Sequence, residues 1–412
     1  MLSNKELRQI SQVLIGWLSH QKQMGGLTET SGWTSTFWQE AVRLIQYYGV
    51  ACVLRQRLEE REMYARLPEE FQQDLERIIQ RQESNPSILT HWLTVLQLLQ
   101  QQGIDVLPCG DCAFIFLLDE EVTDRSLENL DLSVLVRPNS EARLWQYLED
   151  TQWVNETDES GAFRKYVRYQ NEKKDELVVY TAVVAEEMGL HYDMTSDYLI
   201  AAKLQECQGQ SVLLSGKQAI MHHLLMRVGA ELMAQKLQLS LLLDVSRLAK
   251  RLSMSEWKAI VLSAKRKQDV RFLYAALVMS TRVSSTGVPS WVLRDLAPSA
   301  PLLLKLWLDK VDIFTVSSAN FSPRSFLDYL VWFPLSGEVF RVAWAILKQP
   351  KHPVFSEQQT CKNMLSTLSY HWDKSQNSLK RQWRYSVLRG RRYWSRFSQV
   401  GRGYLPWLTK SS

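Results

Sequence analysis

Between Ile104 and Pro138 the hydrophobic pattern changes its period, and this change limits the fold more than any other feature of the chain. "IDVLPC" is short, rich in apolar residues and closed by Gly110, which reads as a strand running into a turn. "NLDLSVLVRP" reads the same way and ends on Pro138. Ahead of them, "SILTHWLTVLQLLQQQG" carries the amphipathic spacing of a helix and stops at Gly103. After them, "EARLWQYLEDTQW" is helical, and "AFRKYVRYQ" and "DELVVYTAVVAE" read as two strands of a hairpin. The order helix–strand–helix–strand–helix–strand–strand predicts a small α/β unit across roughly residues 87–187.

The flanks are helical. "FWQEAVRLIQYYGVACVLRQRLEE" sets Ala41, Leu44, Ile45 and Tyr48 at three- and four-residue spacing, and "PEEFQQDLERIIQRQ" opens with Pro68 at a helix start. Beyond "MGLHYDMTSDY" the chain turns helical again through "SGKQAIMHHLLMRVGAEL", "LQLSLLLDVSRLAKRL", "MSEWKAIVLSAKRKQ" and "VRFLYAALVMSTRV". Four segments are therefore expected: a helical segment 1–86, an α/β core 87–190, a helical domain 191–298, and a C-terminal helical region 299–412. The expected class is α+β, a small mixed sheet embedded in a mostly α-helical chain. A length of 412 residues fits two or three domains at about 150 residues each.

No stretch reaches the roughly 18 apolar residues of a membrane-spanning helix. The opening "MLSNKELRQISQVLIGWL" does not read as a secretory leader, and five cysteines in such a chain argue for reduced thiols. A cytoplasmic location is expected, with peripheral membrane association open. The net charge of +5 is unevenly spread: residues 374–412 hold ten Lys and Arg and no acid. In this tail Arg alternates with Trp383, Tyr385, Tyr393, Trp394, Phe397, Tyr404 and Trp407. Such a tail suits an anionic membrane surface, single-stranded nucleic acid, or a docked helix with solvated arginines.

Cys109 and Cys112 form a C-x-x-C at the strand–helix turn. A structural zinc site needs four ligands, and Cys52, Cys207 and Cys361 supply no second pair of matching spacing. The pair reads as incidental to metal or redox chemistry. His222 and His223 are adjacent on a helix, so their side chains diverge by about 100° and do not share a metal readily. One buried and one partly exposed histidine is the expected outcome. Asp244 would be costly to bury alone and is expected to pair with Arg247 or a neighbouring helix.

The run "GIDVLPCGDCAFIFLLDEEVTDRSLENLDLSVLVRP" resembles the poorly characterised bacterial nucleotidyltransferase family of the DNA polymerase β superfamily. There a strand ends in a Lys-Gly turn, a helix and an Arg follow, and an Asp-x-Asp lies on the next strand. Gly110 matches the turn glycine, Arg125 the arginine, and Asp131 the second carboxylate. "WQEAVRLIQYYGV", "AIMHHLLMRVGAEL" and "LQLSLLLDVSRL" with Asp244 look like the family's flanking helices, so the resemblance covers about residues 33–295.

The resemblance implies a nucleoside triphosphate held with Mg²⁺ between Gly110 and Asp131, and nucleotidyl transfer to a hydroxyl acceptor. It also implies an accessory place in surface-polysaccharide or modified-peptide synthesis. Acids at i and i+2 of a strand share a face, so both can reach one pair of metal ions. The chain departs from the pattern where the chemistry lies. Asn129 replaces the first Asp, Cys109 replaces the lysine, and the third acid can come only from Asp175 or Glu176 at the start of its strand. Mg²⁺ prefers carboxylate and phosphate oxygens. The expectation is therefore a retained nucleotide-binding fold, with Asp131 catalytic, Asp131 and Asn129 on the metal, and transfer impaired. The alternatives are a non-catalytic nucleotide-sensing or partner-binding scaffold, and a membrane-surface adaptor acting through 374–412. Arg125 is either a phosphate ligand or the ion-pair partner of Asp124 or Glu128.

Overall fold

A computed structural model describes residues 2–19, 30, 32–83, 86–118, 132–151, 153–155, 166–170, 176–187, 190–284, 287–317 and 331–332. The chain divides into two compact units, Met1–Phe321 and Ser322–Ser412, and every element named below belongs to the first. The tail 374–412 lies outside the described residues.

Five helices lead in: α1 (Asn4–Leu18), α2 (Ser35–Tyr48), α3 (Ala51–Glu60), α4 (Glu69–Glu83) and α5 (Pro86–Gln101). The helical run from Phe37 to Glu60 is divided at Gly49, which adopts φ +64° and ends α2. α1, α2 and α4 meet around an aromatic cluster in which Trp17, Trp38 and Phe71 lie within 6.5 Å of one another. The Ser11 and Tyr48 hydroxyls hydrogen-bond at 2.7 Å beneath the surface.

The core follows as β1 (Val106–Pro108), α6 (Asp111–Leu118), β2 (Leu132–Val136), α7 (Glu141–Asp150), β3 (Val154–Asn155), β4 (Tyr166–Gln170) and β5 (Glu176–Tyr180). These strands form one mixed sheet in the order β1-β2-β5-β4-β3. β1 pairs antiparallel with β2, while β2 runs parallel to β5 with Leu132 opposite Leu177 and Ser133 opposite Val178. β4 and β5 form the expected antiparallel hairpin, Gln170 opposite Glu176. Burial of Leu132, Val134, Leu135, Val136, Leu177, Val178 and Val179 explains the near-continuous apolar runs of the two central strands.

Two hairpins were not legible as strands. The segment expected as a single strand through Glu186 breaks at Thr181–Val183, and β6 (Val184–Glu187) pairs with β7 (Leu190–Asp193). After α8 (Thr195–Ile200), β8 (Lys203–Cys207) pairs with β9 (Gln210–Leu214). Their link, Gln208-Gly209, takes positive φ at both residues, the geometry of a two-residue hairpin turn. β8 is mostly exposed, so its polar sequence hides the strand period.

The helical remainder is α9 (Lys217–Ala234), α10 (Leu239–Arg251), α11 (Met254–Lys267), α12 (Val270–Val283), α13 (Ser290–Leu296), α14 (Leu302–Leu308) and α15 (Ile313–Val316). α9 is buried over most of its surface and packs against α10, α11 and α12. Its Gly229 lies so close to α12 that a methyl group there would stand 2.6 Å from Phe272 Cβ. The fold is thus α+β, a small mixed sheet within a mostly helical chain, as the sequence predicts. No helix among the described residues is long and apolar enough to cross a membrane.

Candidate functional site

The site is built around the turn between β1 and α6. Cys109 continues the β1–β2 ladder by donating its N–H to Ser133 O at 2.9 Å. Gly110 then takes φ +58°, a left-handed conformation that costs any side-chain-bearing residue about 1–2 kcal/mol. Among the described residues, a methyl group at Gly110 would meet no atom within 4 Å, so none of them fills the space beside this residue. Cys112, in the first turn of α6, accepts the Ser133 N–H on its sulfur at 3.3 Å. Both cysteines are buried, and burial pushes the Cys109 thiol well above its ordinary pKa, so it stays protonated. The C-x-x-C thus ties the turn to β2. Among the described residues no group of three or more His, Cys, Asp and Glu side chains is placed to hold a metal.

Behind the turn stands a polar stripe on α9. His223, Arg227 and Glu231 recur every fourth residue and so share one face of an otherwise apolar helix. His223 Nδ1 lies 2.6 Å from the hydroxyl of Tyr198, a fully buried residue of α8. The neutral ring and the phenol share this one hydrogen bond, and its direction follows the histidine tautomer. Burial first, and then the Arg227 cation, depress the His223 pKa to about 4. Burial also holds the Tyr198 hydroxyl well above its usual range, with Cys109 and Asp111 acting the same way.

Arg227 Nη1 meets the carboxylate of Asp111, the first residue of α6, at 2.6 Å, and its Nε meets Glu231 at 3.3 Å. Burial alone would lower the Arg227 pKa, but the Asp111 carboxylate, supported by Glu231, more than offsets it. Glu231 in turn accepts the Gln238 N–H at 3.4 Å, and burial raises its pKa. At the other end of α6, Arg251 donates to Leu117 O at 2.9 Å and Leu118 O at 3.3 Å. A cation at this C-terminus complements the helix dipole.

Of the residues singled out from the sequence, the structure places Gly110 at the expected strand–helix turn. Arg125, Asn129 and Asp131 fall in 119–131, and Asp175 in 171–175, outside the described residues. Glu176 opens β5 and lies 3.4 Å from Arg168. Because Ser133 pairs with Val178, Glu176 shares a sheet face with Ser133. Asp131 precedes Ser133 by two residues, the spacing at which side chains of an extended segment share a face. His222 is buried against Asp269 at 3.3 Å while His223 is partly exposed. Asp244 pairs with Arg247 at 3.4 Å, as expected. Sequence reasoning missed Asp111, Tyr198, Arg227 and Glu231. The four-residue recurrence of His, Arg and Glu in "HLLMRVGAE" was a signal that could have found the α9 stripe.

The profile of a family described as uncharacterised nucleotidyltransferase matches residues 34–284. No curated protein matches the chain. Among solved structures, the chain is similar to the lincosamide antibiotic adenylyltransferase LnuA in its lincomycin-bound form, at 15% identity and a TM-score of 0.27, over 38% of this chain and 92% of that one. It is also similar to the antibiotic-resistance factor ANT(2'')-Ia, at 9% identity and a TM-score of 0.33, over 45% and 95% of the two chains. A third is an antigenic nucleotidyltransferase-like protein from Paracoccidioides brasiliensis, at 12% identity and a TM-score of 0.29, over 51% and 98%.

Proposed function

The chain belongs to the uncharacterised nucleotidyltransferase family, and from that premise we propose that it binds a nucleoside triphosphate with Mg²⁺ between the Gly110 turn and the starts of β2 and β5, with transfer to a hydroxyl acceptor impaired. The observation that carries this reading is the parallel register of β2 and β5, which brings Glu176 beside the strand that Asp131 precedes. Asp131 and Glu176 are the two carboxylates suited to a hard cation, and Asn129 adds a neutral carbonyl oxygen where the family has an acid. This set fits Mg²⁺ with less charge than the family pattern. Bound there, the ion would neutralise charge on the triphosphate. In this reading Gly110 lets the phosphates approach the backbone, and Arg125 supplies a cation toward them. One lost metal-binding charge costs on the order of 10³-fold in rate, which is why transfer is taken as impaired.

Calorimetry of ATP and the other triphosphates, with and without Mg²⁺, tests the reading on the wild type, Asp131→Ala and Glu176→Gln. Binding that needs the metal and both carboxylates is the expected result. Unchanged binding in Asp131→Ala would overturn the site assignment.

A further inference from the structure

The turn itself supplies no cation, since residue 109 is a buried, protonated thiol and residue 111 a carboxylate. The charge comes from another element. We propose that Arg227 is a phosphate-binding residue of the Gly110 turn, held by Asp111 until a phosphate group takes the place of the carboxylate. The inference rests on the reading that this turn receives a triphosphate.

Three observations carry it. The Arg227 guanidinium is fixed from behind by Glu231 on Nε, so its outer edge is presented in one orientation. That edge meets Asp111 at 2.6 Å, one residue after Gly110, and no described residue fills the space beside Gly110. The Arg227 side chain remains 37% exposed against 17% for Asp111, so an incoming oxyanion can reach the cation without unfolding the site. A guanidinium matches the spacing of phosphate oxygens as well as that of a carboxylate, so a phosphate group can replace Asp111 without moving Arg227. Exchange has a consequence that a purely structural ion pair lacks. Asp111 competes with the phosphate for the same donors and repels it, so removing the Asp111 charge must tighten binding while removing Arg227 must weaken it.

The test measures binding of ATP and of inorganic tripolyphosphate, each with Mg²⁺, to the full chain. The variants are Asp111→Asn, Arg227→Met, Arg227→Lys and the double variant Asp111→Asn/Arg227→Met, which keeps the charge balance should the single Met variant fail to fold. Asp111→Asn is expected to bind severalfold tighter than the wild type, and the double variant about tenfold or more weaker than Asp111→Asn, with Lys intermediate. If the wild type binds and the double variant matches Asp111→Asn, or if Asp111→Asn binds more weakly than the wild type, the assignment of Arg227 is overturned while the binding reading stands. If neither the wild type nor Asp111→Asn binds either probe, the binding reading fails and this assignment fails with it.

Discussion

Acid should unfold this protein partly through one histidine. His223 Nδ1 and the Tyr198 hydroxyl are hydrogen-bonded at 2.6 Å. A second proton on this ring would stand beside the Arg227 cation, in a site where burial disfavours the charged form. The folded pKa is accordingly depressed to about 4, against about 6.5 in the unfolded chain. Between these values the unfolded state binds more protons, so stability is lost as pH falls. Worked through the linkage relation, the loss is about 2 kcal/mol by pH 5 and about 3 kcal/mol by pH 4.

His223→Asn isolates this component, because its amide oxygen can still accept from Tyr198 but does not titrate. Denaturant unfolding followed by circular dichroism at several pH values between 7 and 4 gives the difference between the two proteins. The variant is expected to start less stable at pH 7, from the volume removed, and to lose less stability on acidification. Parallel pH profiles for the two proteins would refute the neutral, hydrogen-bonded state of His223.

Further outcomes are expected at three positions. Gly110→Ala should cost about 1–2 kcal/mol in unfolding free energy through the left-handed backbone, since its methyl group meets none of the described residues; a loss above about 4 kcal/mol would mean that this space is filled. Gly229→Ala should destabilise by about 1–3 kcal/mol through the contact with Phe272, and thermal denaturation unchanged from the wild type would show that α9 and α12 are not held at this distance. Ser253→Ala removes the capping box that Ser253 and Glu256 form at the start of α11 and should cost about 1 kcal/mol, read as a lowered denaturant midpoint.

How much of this was legible in the sequence differs between the fold and the site. Strands β2 and β5 announced themselves because they bury both faces, and turn residues bound the short apolar run of β1. Helices α9 to α12 were equally plain, since each repeats its apolar residues at the helical period. The hairpin β8–β9 was not, because a largely exposed, polar strand has no burial pattern to display.

The sequence by itself determined that a small α/β unit sits inside helices and that Gly110 ends its first strand in a turn. Local period and turn chemistry depend only on near neighbours, so one chain suffices to read them. Which side chains surround the turn was decided by the tertiary structure. Tyr198, His223 and Arg227 lie about 90 to 120 residues beyond Gly110, and only the packing of α9 against α6, with α8 on α9, brings them there. The parallel pairing of β2 with β5 likewise placed Glu176 on the face of Ser133, a choice of register that no local pattern fixes.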